Sequence, residues 1–292
     1  MTAIGHLGQT AILCATVVAA YGALAALLGG TRRLPEFVVS TRNAAYGVAG
    51  FVTVAGLLLF YAFATHDFSL QYVAATSARD APLGVTLTGF WGGQAGSLLF
   101  WAWGLTVLAA VAAGREFRRH PALMPGVLGT LFAVELFFLG LLGFVSSPFE
   151  PLPAPAPVGQ GLNPLLWDGG MRIHPPLLLA GYMSFAVPFA FAMAALLTGR
   201  LGREWLAPVR RWMLFAWAIQ GAGLLAGAWW AYHVLGWGGY WGWDPVENVA
   251  LLPWLTATAF LHSIMVQERR GMLTVWNLGL VIASFALAIF GT

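Results

Sequence analysis

Lysine is absent from this 292-residue sequence, and cysteine occurs once, at Cys14. Charged residues make up only 9% of it, against about a quarter in an ordinary soluble domain. Each scarcity excludes something. A chain so poor in charge cannot clothe a compact body in polar surface, which excludes a soluble globular enzyme and a disordered tail. The same shortage argues against nucleic-acid binding, although the pI is about 9.4. One cysteine permits no disulfide within the chain and no thiolate metal site. No glycine loop of the nucleotide-binding kind is present.

What is there is apolar: 59% hydrophobic residues, 14% aromatic, and a mean hydropathy of +0.77. Eight apolar runs, near 8–30, 44–64, 97–113, 125–144, 177–198, 212–232, 249–266 and 274–291, each approach the roughly 20 residues that cross a bilayer. They are far too long for barrel strands. The expected fold is all-α, a polytopic membrane protein of about eight transmembrane helices forming one domain over 1–292. Arginine sets its orientation. The 31–43, 114–121, 199–211 and 267–273 loops hold twelve of the fourteen arginines, and the alternate loops hold only Arg79 and Arg172. The positive-inside rule then places the N-terminus outside. The loops 65–96, 145–176 and 233–248 lie outside with it.

Polar residues are so few that each can be weighed. In the 233–248 loop Trp237, Tyr240, Trp241 and Trp243 are interleaved with Gly236, Gly238, Gly239 and Gly242. An interfacial aromatic belt needs no such glycines. Glycines let backbone and ring faces approach a flat ligand, so the loop reads as a platform for a large planar apolar molecule. Asp244, Pro245 and Glu247 form a capping box that starts the next helix, with Asn248 following. His174 precedes Pro175 and Pro176. A residue before proline is pushed away from helical geometry, so His174 is expected to be extended, just outside a helix that the prolines begin. There it would be a neutral imidazole suited to metal ligation. Trp91-Gly92-Gly93 is a second candidate platform or a close helix contact. His262 falls in the inner half of the seventh run, where ionisable residues are functional candidates. Glu135 is the other intramembrane candidate. His6, His66 and His233 are weaker ones, and His120 reads as a surface residue. A flat-ligand platform with one histidine outside and another in the membrane suits haem at two depths.

These residues resemble a known family. Trp230-Ala231-Tyr232, Gly236-Trp237-Gly238-Gly239, Trp241, Trp243-Asp244-Pro245-Val246-Glu247-Asn248, Pro253-Trp254-Leu255 and His262-Ser263 are similar to the WWD signature of haem-handling proteins. Trp91-Gly92-Gly93 with Gly96-Ser97-Leu98-Leu99, and Gly161-Leu162-Asn163-Pro164-Leu165-Leu166 leading to His174-Pro175-Pro176, resemble the CcmF branch of cytochrome c-type biogenesis proteins in particular. The resemblance implies a membrane haem lyase. It would take haem, its transferred substrate, from the chaperone CcmE and attach it to apocytochrome c beside a CcmH-type partner, with quinol as electron source. It implies that His174 ligates the periplasmic haem. The platform would be Trp237, Gly238, Gly239, Tyr240, Trp241, Trp243, Asp244, Glu247 and Asn248. His262 would ligate a resident transmembrane haem b. No separate catalytic acid, base or nucleophile is implied. Gln94-Ala95 stands where the family often carries His-Glu, so no ligand is expected there. Family chains are much longer, so this chain is expected to be the N-terminal portion of a longer protein, completed by a C-terminal half or a second chain. A haem carrier without ligation chemistry and a small-molecule transporter are the alternatives.

Overall fold

The computed structural model describes residues 3–32, 34–234, 236 and 238–291. They are mainly helical: α1 (Ala3–Arg32), α2 (Pro35–Ala64), α3 (Gln71–Thr76), α4 (Leu83–Thr88), α5 (Gln94–Glu116), α6 (Met124–Phe144), α7 (Gly170–Ser184), α8 (Ala186–Thr198), α9 (Leu206–Val234), α10 (Pro245–Arg270) and α11 (Thr274–Phe290). Seven helical segments are long and apolar enough to cross a membrane. They are α1, α2, α5, α6, the α7–α8 pair, α9 with the short turn before it, and α10. The chain is an integral membrane protein. The eighth expected span, α11, has 17 residues, or about 26 Å of helix against a hydrocarbon core of about 30 Å.

Packing follows from small side chains. The buried face of α1 is Gly5, Gly8, Ala11, Ile12, Ala15, Ala19, Gly22, Ala25, Ala26 and Gly29, repeating every three or four residues. Such a stripe lets α1 lie close along α2 and α6, the packing logic of helices in lipid. The opposite face is as apolar as the buried one, since Leu7, Val17, Leu24 and Leu27 are exposed. α5 packs between α2 and α6, α8 joins α6 to α9, and α10 sits between α9 and α11.

Helix boundaries differ from the expected runs in two places that matter. Pro35 opens α2 at its first turn, a position where its missing N–H is not needed. Arg42 therefore lies inside α2 rather than in a loop, with its guanidinium 5.1 Å from the centre of the Phe117 ring. The fifth run is also longer than expected. It begins at Gly170 and breaks at Phe185 into α7 and α8.

Candidate functional site

α7 contains His174, Pro175 and Pro176 within its length, so His174 is helical and not extended. Two contacts overcome the preference of the residue before proline. Asp168 starts the helix, its Oδ1 accepting from the Gly170 N–H at 2.6 Å and its carbonyl from the Met171 N–H at 3.2 Å. Pro175 has no N–H for the carbonyl four residues back, that of Met171. The Trp91 indole Nε1 donates to that carbonyl at 2.8 Å instead. Trp91 is thus tied to α7, and the glycines after it close around other side chains. A Cβ at Gly96 would lie 1.8 Å from the Phe90 carbonyl oxygen and 2.5 Å from the Tyr72 hydroxyl. The Tyr72 hydroxyl accepts from the Gly93 N–H at 3.0 Å and faces the Gly89 and Phe90 carbonyls, each at 3.0 Å. Burial pushes the Tyr72 phenol above its ordinary range, against a smaller opposing effect from the Gly93 and Gly96 backbone contacts.

His174 packs against α9. Its Nδ1 lies 2.9 Å from the Gly223 carbonyl oxygen. A carbonyl only accepts, so Nδ1 carries the proton and Nε2 keeps a free lone pair. The approach requires glycine opposite, because a Cβ at Gly227 would come within 2.6 Å of the His174 ring. The Trp230 ring sits beside the imidazole, with centroids 5.7 Å apart. An imidazole held through one nitrogen with the other free is the arrangement of a metal-ligating histidine with its supporting hydrogen bond. No group of three or more His, Cys, Asp or Glu gathers among the described residues.

The aromatic loop leaves α9 just above this histidine. Tyr232 stacks on Tyr240 at 4.4 Å and 11°, and Trp241 meets Trp243 edge to face at 6.1 Å. Trp243 is 73% exposed and has a φ of 56°, rare for a bulky residue and maintained only where neighbours enforce it. The Asn248 side-chain amide donates to the Trp243 carbonyl at 3.0 Å. The capping box is present: Asp244 Oδ1 accepts from the Glu247 N–H at 2.8 Å. Glu247 Oε2 reaches past the cap to the Gly242 N–H at 2.7 Å. Gly238 has a φ of 70°, and Gly239 follows it. Trp237 lies outside the described residues. Trp229, Tyr232, Tyr240 and Trp243 are all exposed.

His262 lies deeper. Gln220 on α9 donates to the Ala250 carbonyl of α10 at 2.8 Å, which levels the His174 region with the start of α10. His262 is twelve residues beyond Ala250, or about 18 Å along the helix. The buried face of α10 is Ala250, Pro253, Ala257, Phe260, Ile264 and Gln267, so His262 points the other way and is exposed. One turn before it, the Trp217 indole donates to the Thr258 hydroxyl at 2.8 Å.

The remaining polar candidates are placed as follows. His66 has a φ of 52° and closes α2, its N–H on the Phe63 carbonyl and that of Asp67 on Ala62. His6 is exposed on α1. His120 is not a free surface residue; its side chain is 18% exposed and its Nε2 lies 3.5 Å from Glu116. Burial lowers its pKa below the ordinary range, with Glu116 opposing. Glu135 is 1% exposed, and neither carboxyl oxygen has a hydrogen-bond partner among the described residues. Sequence reasoning missed the Asp168–His233 contact, with Nε2 and Oδ2 3.2 Å apart. Only the proximity of His233 to the aromatic loop hinted at it.

Fold and site define a polytopic helical membrane protein with a hydrogen-bonded histidine and an aromatic loop at the arginine-poor ends of its helices. The sequence model described as "Cytochrome C assembly protein" matches residues 91–292, and the chain belongs to that family. It is 39% identical over 290 residues to the cytochrome c-type biogenesis protein CcmF of Haemophilus influenzae, covering 99% of this chain and 45% of that one. It is 41% identical over 294 residues to CcmF of Pseudomonas aeruginosa, with 99% and 44% coverage. The solved structure "Cytochrome c Heme Lyase CcmF" superposes with a TM-score of 0.87 at 36% identity, over 100% of this chain and 47% of that one. The chain therefore spans a little under half the length of the relatives it matches.

Proposed function

We propose that the chain is the haem-handling part of a cytochrome c haem lyase. The observation that carries this is His174, with Nδ1 committed to the Gly223 carbonyl and its ring beside Trp230, in the last turns of α9 before the aromatic loop. Bound there, the haem iron would supply the redox chemistry that keeps the vinyl groups ready for thioether formation. The protein's own part is to hold and orient. Trp91 and Asp168 fix the first turn of α7, Gly223 fixes the imidazole tautomer, and Tyr240, Trp241 and Trp243 offer faces and edges to the flat macrocycle. Pre-oriented reactants need little further help from an acid or base.

The family relationship and the arginine distribution support an inner-membrane protein with this end in the periplasm. There it would receive haem from a CcmE-type chaperone and present it to apocytochrome c beside a CcmH-type partner. His262 is free to ligate a resident haem b, with electrons drawn from quinol. The rest of the site would come from the remainder of the protein or a second chain. Replacing the chromosomal His174 codon by alanine tests the reading. Covalent haem on c-type cytochromes should be lost while the membrane level of the protein persists. Undiminished covalent haem would rule it out.

A further inference from the structure

Both ring nitrogens of His233 face acceptors. Nδ1 lies 3.1 Å from the Trp229 carbonyl oxygen, and Nε2 lies 3.2 Å from Asp168 Oδ2. With Nδ1 donating to the Trp229 carbonyl, Nε2 pairs with the Asp168 carboxylate as an ion pair when the ring carries its second proton. Asp168 is equally committed, because its other oxygen caps α7 at the Gly170 N–H. The pair therefore joins the first turn of α7, which leads to His174, to the last turn of α9, from which the aromatic loop departs. That last turn also holds the loop, through Tyr232 stacked on Tyr240, and the Trp229 ring lies against the His233 ring at 4.5 Å. Neighbouring charges are otherwise engaged. Asp244 and Glu247 bond the Glu247 and Gly242 amides, and the Arg172 guanidinium is turned towards Gly84, where a Cβ would lie 3.1 Å from it.

We propose that His233 is a positioning residue: as a cation clasped to Asp168 it sets the aromatic loop over His174, so that one flat ligand meets both. This rests on the haem reading of the preceding section. A lipid-facing helix end needs no charged clasp; a loop that must keep register with a ligand on another helix does.

The test uses the purified chain in detergent, with haemin as probe and amide exchange of residues 238–243 as a ligand-free readout. His233→Ala should speed exchange of those amides and weaken haemin binding about fivefold, the scale of a partly exposed ion pair. His233→Lys should restore both, because it keeps a cation for Asp168, whereas His233→Gln should restore neither fully. Unchanged amide exchange in His233→Ala overturns the clasp. Faster exchange with undiminished haemin binding overturns the positioning role while leaving the haem reading intact. A wild-type chain that takes up no haemin overturns the haem reading, and the positioning role with it.

Discussion

The hydrogen bond from Trp91 to Met171 makes a quantitative prediction. Pro175 leaves the Met171 carbonyl without its helical donor, and the indole supplies one at 2.8 Å. Met171 is 4% exposed, so in Trp91→Phe the carbonyl is stranded away from water. A buried acceptor left without a donor costs about 1–3 kcal/mol. Pro175→Ala returns a backbone N–H to position 175, which can bond that carbonyl in the ordinary helical way. In that background Trp91→Phe should cost less, by about 1–2 kcal/mol. The smaller ring of phenylalanine is common to both backgrounds and cancels in the cycle. Equilibrium unfolding of the four proteins in mixed micelles measures the coupling. A cycle additive to within about 0.5 kcal/mol would refute the claim that Trp91 substitutes for the missing donor.

Three further outcomes follow from the same contacts. Glu135→Leu should raise stability by about 1–3 kcal/mol, because it removes a buried carboxyl with no partner; a lower melting temperature would mean that Glu135 has a partner beyond this chain. Gly96→Ala should destabilise by about 1–3 kcal/mol, since its Cβ would collide with the Phe90 backbone, and unaltered melting would contradict the packing around Tyr72. Alkaline titration should show Tyr72 ionising after the other tyrosines. Its folded pKa is raised above the unfolded one, so its stabilisation is complete below about pH 10 and is lost as pH rises beyond it; a Tyr72→Phe chain should lack that alkaline loss.

Much of the architecture was legible because lipid imposes simple rules. Length and apolarity marked eight spans, of which seven are helices long and apolar enough to cross a membrane and the eighth is the shorter α11, and arginine marked one set of helix ends. The Asp244–Glu247 box was legible because capping is local in sequence. The conformation of His174 was misplaced. Its helical state depends on the Trp91 indole, 83 residues before it, and its ring is held by the Gly223 carbonyl, 49 residues after it. No local preference encodes such contacts. The Trp-Gly-Gly block was open between cradle and close packing. The structure shows Trp91 spent on α7 and Gly93 and Gly96 closed around Tyr72, contacts that need the fold to be seen. The clasp between Asp168 and His233 was hidden for the same reason.

The most direct test of the account is a haemin titration of the purified chain, followed by the Soret band, for the wild type, His174→Ala and His262→Ala. The account predicts a histidine-ligated band in the wild type, retained in His262→Ala at the aromatic-loop site and lost from that site in His174→Ala. A band in His174→Ala identical in position and affinity to the wild type would contradict it.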